Sequence, residues 1–298
     1  MPSTRDIKRR IKSIGNTRKI TKAMELVSAA KMRKAVSQAL ATRAYAHAAW
    51  EVLTNVSEVT NRESHPLLIQ RTVKKVAVIV ISSDRGLAGG FNANVVRQAL
   101  EVIALENQVP VDIIALGNKG ADGLRRAGTN LVAAFSNPHT KPTIEDLTPI
   151  TKIAIDDFVS GVYDKIYTVY TDFVSTLTQK ARSRIILPIQ KETLRQVLDD
   201  VAPEIETMKV DANNPYLFEP NPDEVLEKML RALVQSQVYQ VVLESLASEH
   251  AARMVAMRNA NDAAEELTDD LTLTYNQARQ AGITREIAEI SAGRAALE

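Results

Sequence analysis

The feature that most constrains this chain is its last stretch, residues 223–298, which predicts a single long helix. The stretch contains no proline, and its only glycines are Gly282 and Gly293. Asn221 and Pro222 precede it as a start signal, since a helix tolerates proline in its first turn. At ~1.5 Å per residue, an unbroken helix of this length would be roughly 110 Å long, far longer than a globular domain needs. The sequence therefore predicts an equally long partner for it.

Residues 5–56, at the other end of the chain, supply that partner. They lack proline, contain one glycine, Gly15, and share with the last stretch an alternating four-and-three spacing of apolar or small residues. Such a heptad seam favours an antiparallel coiled coil of the two stretches, and the alternative is two long helices packing separately on the middle of the chain. The predicted seam residues are Ile7, Ile11, Ile14, Arg18, Thr21, Glu25, Ser28, Met32, Ala35, Ala39, Thr42, Ala46, Ala49, Leu53 and Val56 in the first stretch, and Ala260, Ala264, Leu267, Leu271, Thr274, Ala278 and Ala281 in the last.

The middle of the chain alternates predicted strands with predicted helices. Residues 76–81 form a continuous β-branched run, typical of a strand buried on both faces of a parallel sheet. The alternation predicts a Rossmann-like, three-layer α/β domain. The fold class is thus α/β, with a long antiparallel coiled coil of the terminal helices at 1–62 and 221–298 and a central domain at 72–212. The predicted strands are 76–81, 111–116, 130–135, 165–174 and 184–189; the helices lie near 93–106, 119–126 and 150–161; and 137–149 is a proline-bearing loop.

Composition excludes several classes of site. The chain has no cysteine, which rules out disulfides, thiol catalysis and thiolate metal sites. No apolar run approaches 18 residues, so no membrane span is expected. The net charge is only +1, but residues 1–34 hold eleven lysines and arginines against Asp6 and Glu25, a local net charge of +9. The positive charge is therefore concentrated on the first helix.

The glycine loop after the first strand does not match a known phosphate cradle. Residues 86–90 do not spell G-x-G-x-x-G, no acidic residue ends the second strand, and no P-loop motif occurs. Gly117, Gly120 and Gly123 are interpreted as turn residues. The histidines lack metal-ligand spacing. Nothing in the sequence indicates a catalytic site; the histidines are His47, His65, His139 and His250.

The two long helices have further surfaces besides the seam. Basic residues form a broad face opposite Ile7, Ile11 and Ile14, and such a face is often merely solvated. A second apolar stripe lies off the seam on each helix, and because the outside of a two-helix coil is normally polar, these stripes predict an enclosing partner. Alternatively, a shift in helix phase at Gly282 returns the last isoleucines to the seam. The basic face comprises Arg5, Lys8, Arg9, Lys12, Lys19, Arg33 and Lys34; the stripes are Ile20, Met24 and Val27, and Ile283, Ile287, Ile290 and Leu297.

Long motifs at both ends of the chain resemble the gamma subunit family of the F-type rotary ATP synthase. The resemblance covers the whole chain, and the terminal motifs are specific. It is of the bacterial type, because no counterpart of the chloroplast insert with its redox cysteine pair lies between Leu194 and Glu224. The motifs are IKSIGNTRKITKAM at 11–24, SAAKM at 28–32, DRGL and GGFN at 84–87 and 89–92, SEHAARMVAM at 248–257, YNQARQ at 275–280 and ITREI at 283–287.

The resemblance implies a non-catalytic rotor. In this family the coiled coil passes through a ring of three alpha and three beta subunits, and the α/β domain forms a foot on the epsilon subunit and the membrane c-ring. Proton flow drives rotation, ATP/ADP and Mg bind the alpha and beta subunits, and this chain is expected to bind no cofactor. It is expected at the cytoplasmic side of the cell (inner) membrane as a peripheral protein, touching the membrane only through the c-ring.

The resemblance also implies contact residues. By motif match, Met24, Glu249, Arg253, Arg279, Gln280 and Thr284 correspond to positions the family uses near the catching loops of the ring. Together with Arg9, Lys12, Ile20, Val27 and Ile287 from the basic face and the stripes, they are the candidate partner contacts. Two rival functions are an enzyme with a dinucleotide-type domain and a coiled-coil nucleic-acid binder. The low aromatic content of 4% disfavours the second.

Overall fold

The computed structural model describes residues 3–59, 65–137, 142–189, 219 and 221–295, with only the backbone described for 43–59, 222, 293 and 295. The chain forms two compact units, described separately below. The helical unit consists of residues 1–28 and 253–298, and the mixed unit of residues 29–252. Each long helix contributes to both units. Helix α1 spans Thr4–Val59 and the last helix, α5, spans Pro222–Ala295.

The mixed unit contains a five-stranded sheet in the order β3-β2-β1-β4-β5. Strand β1 pairs in parallel with β2 and β4, β2 in parallel with β3, and β4 antiparallel with β5. The largely parallel sheet predicted from the sequence is confirmed. In chain order the elements are β1 (Val76–Ile81), α2 (Phe91–Leu105), β2 (Val111–Leu116), α3 (Asn118–Arg126), β3 (Asn130–Phe135), α4 (Ile144–Val159), β4 (Lys165–Phe173) and β5 (Gln179–Leu187).

Helices cover both faces of the sheet, which gives the predicted three layers. All six residues of β1 are fully buried, as expected for a central parallel strand. One set of its side chains packs into a core with residues of α2 and α3, and the alternate set packs into a larger core with α4. The first part of α5 belongs to this larger core through Leu226, Leu230, Leu233, Val234, Val238, Val241, Val242, Leu246 and Ala247.

Helix α4 begins earlier than predicted, so the assignment of residues 144–149 to a loop was wrong. Thr143 caps the helix: its hydroxyl accepts a hydrogen bond from the Asp146 N–H, and the Asp146 carboxylate accepts one from the Thr143 N–H. This reciprocal capping box satisfies two N–H groups at the helix start. Pro149 lies inside the helix. Its missing N–H forfeits one hydrogen bond, which the cap and the buried apolar residues around it outweigh.

Strand β5 also begins earlier than predicted, at Gln179 instead of residue 184. It forms a hairpin with β4 in which Phe173 pairs with Gln179. The Ser175 hydroxyl accepts the N–H of Thr178 in the turn. The start of β5 is polar because it is an edge strand with exposed side chains, and for that reason it lacked the apolar pattern of the other strands.

The predicted single C-terminal helix is confirmed. The Asn221 side chain caps α5 by accepting the Glu224 N–H at 2.9 Å and donating to the Glu224 carboxylate at 2.9 Å. The helix continues through Gly282 without a break. In the mixed unit the Thr42 hydroxyl of α1 donates a hydrogen bond to the Gln240 side chain of α5, so the two helices are in direct contact there.

The predicted seam of α1 is confirmed wherever its side chains are described. From Ile7 to Thr42 each predicted seam position is buried or half-buried, including the polar ones. Thr21 is accommodated because its hydroxyl donates to the Arg18 carbonyl of its own helix. Ala46, Ala49, Leu53 and Val56 belong to the helix, but their side chains lie outside the described residues, as do Leu297 and His139.

The seam of α5 differs from the prediction at alternate positions. Ala264, Leu271 and Ala278 lie in it as predicted, but Leu267, Thr274 and Ala281 are exposed, and Ala260 is only half-buried. The prediction followed apolar or small residues, whereas the observed seam includes the polar residues Asn261 and Thr268. Thr268 is half-buried, and its hydroxyl donates to the Ala264 carbonyl at 2.7 Å. The observed seam is Met257, Asn261, Ala264, Thr268, Leu271, Tyr275 and Ala278.

The two helices of the helical unit run antiparallel. Arg18 of α1 forms an ion pair with Glu265 of α5 at 2.8 Å. Thr42, which lies later in α1, forms a hydrogen bond to Gln240, which lies earlier in α5, so the two helices run in opposite directions. Among the described residues, no helix combines the length and apolarity needed to cross a membrane. The predicted domain division at 1–62, 72–212 and 221–298 stays a prediction.

Candidate partner-contact surfaces

The off-seam apolar stripe of α1 faces outward in the helical unit. Ile20 is 60% exposed and Val27 is 55% exposed, while Met24 between them is half-buried. Leu26, which the sequence pattern did not single out, is equally exposed. Leu26 could have been found from the sequence, because it is a large apolar residue that does not occupy a heptad seam position. The outward orientation of this stripe, predicted from the spacing, is confirmed.

The isoleucines at the end of α5 are also exposed, but no described residue of α1 covers this part of α5, so the alternative in which Gly282 returns them to the seam stays untested. Ile283, Ile287 and Ile290 are all exposed, Ile290 by 73%. The cause is the register of the helix pair. Arg18, which pairs with Glu265, lies 14 residues after Thr4, the first residue of α1. On the antiparallel helix α5, the residue opposite Thr4 is therefore about 14 residues after Glu265, at Arg279. Beyond that point the described part of α1 no longer covers α5.

The basic face of α1 is exposed throughout the helical unit. Arg5, Lys8, Arg9, Lys12 and Lys19 are all exposed, and none of them forms an ion pair with the described residues. Like charges spaced by four residues on one helix repel each other by a few tenths of a kcal/mol per pair. A helix with this face is therefore available to acidic groups of another molecule.

The candidate contacts taken from motif matches divide into two sets. Arg279, Gln280 and Thr284 are exposed on α5 in the helical unit, and the Thr284 hydroxyl donates to the Gln280 carbonyl at 3.0 Å. Glu249 of the mixed unit and Arg253 of the helical unit are buried. The structure therefore does not present the last two as free surface groups, and their assignment as partner contacts stays a prediction.

The carboxyl end of β1, where dinucleotide-binding folds hold phosphate, is filled by the chain itself. The Ser82 hydroxyl accepts the Gly120 N–H at 2.9 Å and donates to the Gly117 carbonyl at 3.0 Å. A Cβ on Gly117 would lie 2.2 Å from the Ser82 carbonyl oxygen, and one on Gly120 would lie 2.4 Å from the Ser82 hydroxyl. These two glycines allow close packing of α3 on β1 and leave no cradle between the two elements.

The interpretation of three turn glycines was thus correct only for Gly117, which has a φ of 104°. Gly120 and Gly123 lie within α3. A Cβ on Gly123 would lie 2.9 Å from the Val96 side chain of α2, so this residue also serves close helix packing. Among the described residues, no cluster of three or more histidine, aspartate or glutamate side chains could hold a metal ion.

A buried carboxylate ties the amino ends of the strands together. Asp112 of β2 accepts hydrogen bonds from the Tyr163 hydroxyl at 2.9 Å and the Asn130 amide at 2.7 Å, and pairs with the Lys75 ammonium at 2.8 Å. Burial by itself raises the pKa of Asp112, but the hydrogen bonds from Lys75, Tyr163 and Asn130 outweigh it and hold the pKa below its usual value. The group is an anchored anion, which favours a structural role over proton transfer.

A second tie of the same kind joins α2 to β4. Glu106 pairs with Lys165 at 2.7 Å and accepts the Tyr167 hydroxyl at 2.6 Å. Burial opposes ionisation of Glu106, but these two hydrogen bonds prevail and lower its pKa. Both ties satisfy their charged groups internally, so neither leaves an unused acid or base for catalysis.

The structure indicates a protein that binds other proteins as a subunit of an assembly. Its exposed apolar stripes and basic face are surfaces for such partners, and the crevice at the carboxyl end of β1 is filled by the chain itself. The comparisons with known proteins agree. The model of a family described as ATP synthase matches residues 3–297. The chain belongs to the family of ATP synthase gamma chains, which are subunits of an enzyme complex, as its resemblance in sequence had predicted.

The similar proteins match over nearly their full length. The ATP synthase gamma chain of Roseiflexus castenholzii is 45% identical over 100% of this chain and 99% of its own length, and that of Stenotrophomonas maltophilia is 42% identical over 100% of both. One chain in the central stalk/c-ring structure of Tetrahymena thermophila mitochondrial ATP synthase matches 81% of this chain. The two are 25% identical in sequence, and the TM-score is 0.58. That match spans 99% of the Tetrahymena chain. A chain of Euglena gracilis mitochondrial ATP synthase, in its OSCP/F1/c-ring structure, covers 99% of this chain with a TM-score of 0.65, and the match spans 94% of that chain. At 19% identity it supports the fold alone.

Proposed function

We propose that this chain is the central-stalk rotor of a proton-translocating F-type ATP synthase, coupling rotation of the membrane c-ring to ATP synthesis or hydrolysis at the beta subunits. The observation that supports this best is α5, one unbroken helix of 74 residues that exposes an apolar stripe near its end. A continuous helix can transmit torque, and an exposed apolar stripe requires an enclosing surface. The full-length match to gamma chains is consistent with both properties.

The proposed partners are the ring of three alpha and three beta subunits, the epsilon subunit and the c-ring. The apolar stripes of α1 and α5 suit an apolar sleeve within the alpha–beta ring, since they are exposed in the free chain. The basic face suits acidic loops, because its charges have no described partner within the chain. The Tetrahymena relative is described as central stalk with c-ring, which supports a contact of this chain with the c-ring.

We propose further that the chain is not catalytic and binds no nucleotide. Its support is the crevice at the carboxyl end of β1, which Ser82, Gly117 and Gly120 fill with their own hydrogen bonds. ATP, ADP and Mg would then bind only the alpha and beta subunits. The chain would bind no nucleic acid, and would lie on the cytoplasmic side of the cell membrane as a peripheral protein, touching the membrane only through the c-ring.

Reconstitution tests the proposal. Purified alpha and beta subunits are mixed with and without this chain, and the products are separated by size and assayed for ATP hydrolysis. The expected result is a complex with one copy of this chain per three alpha and three beta subunits, with hydrolysis that depends on the chain. Failure to form that complex would refute the rotor assignment.

A separate measurement tests the non-catalytic assignment. The isolated chain is titrated with MgATP in a calorimeter and assayed for hydrolysis without the other subunits. No binding heat and no hydrolysis are expected. Saturable binding by the isolated chain would favour the rival enzyme with a dinucleotide-type domain, whatever the outcome of the reconstitution.

A further inference from the structure

The turn at residues 65–68, between α1 and β1, is anchored in the larger core of the mixed unit by Leu67. This side chain is 1% exposed and belongs to the same apolar cluster as Ile79 of β1 and Leu230 of α5. The Leu67 carbonyl also accepts the N–H of Ile189, just beyond β5, at 2.9 Å. The turn therefore fastens the segment that leads from α1 to the edge of the sheet.

The imidazole of His65 holds this turn closed. Its Nδ1 accepts the Leu67 N–H at 3.3 Å, and the His65 carbonyl accepts the Leu68 N–H at 2.9 Å. A ring nitrogen that accepts a hydrogen bond carries no proton, so the ring is neutral in this arrangement. Protonation places an N–H on both ring nitrogens, and Nδ1 can then no longer accept from Leu67. One proton therefore decides whether the side chain supports the turn.

The surroundings of the half-buried ring favour its neutral form. Burial opposes the imidazolium most strongly, the carboxylates of Glu227 and Asp223 on α5 favour it, and the Arg231 guanidinium opposes it. Together they lower the pKa of His65 from its usual value of 6.5. Arg231 is itself paired with Glu227 at 3.2 Å and with Asp156 of α4 at 3.5 Å. The closed turn is therefore the favoured state at neutral pH.

We propose that His65 makes this turn a pH-sensitive latch, which the neutral ring closes around Leu67 and the protonated ring opens. Because the folded-state pKa lies below 6.5, the latch stabilises the closed turn above that pH and is lost as the pH falls through the folded-state value. Acidification thus loosens the connection between α1, which ends at Val59, and the sheet. All the residues involved belong to the mixed unit, so the latch does not rest on the proposed function.

Two substitutions at one position separate the proton from the hydrogen bond. In His65→Asn, the side-chain oxygen can accept the Leu67 N–H as an Asx turn before Pro66, and it does not titrate. In His65→Leu, the acceptor is absent at every pH. The matched control is an amide in the same unit that is far from the turn: the Val76 N–H donates to the Pro110 carbonyl at 3.0 Å.

Opening of the turn is measured in the full chain by amide hydrogen exchange with NMR detection. Protection of the Leu67 and Ile189 amides is expressed relative to Val76, between about pH 5.5 and 8, where Asp and Glu side chains of ordinary pKa stay ionised. In the wild type it is expected to fall about fivefold or more in acid, in line with loss of one hydrogen bond. His65→Asn should keep the protection at every pH, and His65→Leu should lack it at every pH.

The titration of the ring itself supplies the second measurement. In the wild type, the NMR shifts of the His65 imidazole are followed over the same pH range. Their midpoint should lie below pH 6.5 and coincide with the midpoint for the two amides. If His65→Leu does not fold, this coincidence and the comparison with His65→Asn remain decisive.

Three results would overturn the latch. The first is wild-type protection at Leu67 and Ile189 that does not change with pH relative to Val76. The second is an equal fall in His65→Asn, because that side chain has no proton to gain. The third is a ring that titrates at or above pH 6.5, because protonation would then not oppose the closed turn. No other subunit enters these measurements, so failure of the latch leaves the rotor assignment untouched.

Discussion

Leu271→Asp is the most direct test of the helix pair. Leu271 lies in the seam of α5, whereas Leu267, one turn earlier in the same helix, is 52% exposed. Replacing Leu271 removes a partly buried leucine, worth about 1.5–3 kcal/mol at full burial, and places an unpaired carboxylate against the partner helix. We expect the variant to lose about 2–4 kcal/mol of unfolding free energy, the upper end including the desolvation of the carboxylate.

Leu267→Asp is the matched control, because it makes the same chemical change at a position that the sequence placed in the seam and the structure places outside it. Its expected cost is below about 1 kcal/mol, as for most surface substitutions. Unfolding is followed by circular dichroism at 222 nm in urea, where the helical unit contributes strongly. Equal midpoints for the two variants would refute the observed register, and an unchanged midpoint for Leu271→Asp would remove this residue from any seam.

Three further predictions concern the stripes, the basic face and the buried carboxylate. Ile287→Ser should leave the melting temperature of the free chain unchanged but weaken binding to the alpha and beta subunits. Arg285→Ser, on the opposite side of α5, should weaken that binding less. If Ile287→Ser destabilises the free chain as much as the complex, Ile287 lies inside the coil. Asp112→Asn should lower the unfolding free energy by about 1–3 kcal/mol at neutral pH, measured in urea. Because the folded-state pKa of Asp112 is lowered from 3.8, its contribution is present above that pH and is lost as pH falls through the folded-state value, so the two proteins should converge in acid. The basic face is neutralised by replacing Lys8, Arg9, Lys12 and Lys19 with glutamine, which should leave the free chain as stable or slightly more stable. The variant should associate more slowly with the alpha–beta ring, and its association rate should depend less on ionic strength. If the wild type and the variant show the same dependence on ionic strength, the basic face is only a solvated surface.

The elements that could be predicted from the sequence are those whose pattern of apolar residues is regular along the chain. Strand β1 is buried on both faces and therefore appears as an unbroken apolar run, and β2 is nearly as buried. The edge strand β3 alternates exposed and half-buried residues, and its bounds were predictable from its mainly apolar composition. The seam of α1 was predictable even through Arg18, Thr21 and Glu25, because the apolar residues on both sides fixed the phase of the helix.

The elements that were missed depend on contacts that no local pattern records. The predicted and observed seams of α5 share Ala264, Leu271 and Ala278, and apolarity alone favoured Leu267 over Thr268 between them. The partner helix decides which position is covered, and the Thr268 hydroxyl tolerates this position because it donates a hydrogen bond within its own helix. Gly120 is a comparable case, because its purpose is a close approach to Ser82, which is 38 residues away in sequence.

The exposed isoleucines and His65 show what the sequence could and could not provide for the candidate sites. Ile287 was found because its spacing from Ile283 placed it off the seam, which needs only the helix period. His65 could not be found in this way, because its role arises from a hydrogen bond to Leu67 and from charged groups of α5, which are distant in sequence. The protonation of a single ring nitrogen is set by contacts that form only in the folded chain.

The participation of α5 in the core of the mixed unit has a consequence for the order in which the protein is made. One face of the sheet, including Ile79 and Ile166, is covered in part by Leu230 and Val242 of α5. A nascent chain has all five strands before these residues are synthesised, because β5 ends at Leu187. Until then that face lacks part of its cover and is open to nonspecific association. The sheet is therefore fully covered only after the first part of α5 has been made, and its apolar face is most exposed in the interval after β5.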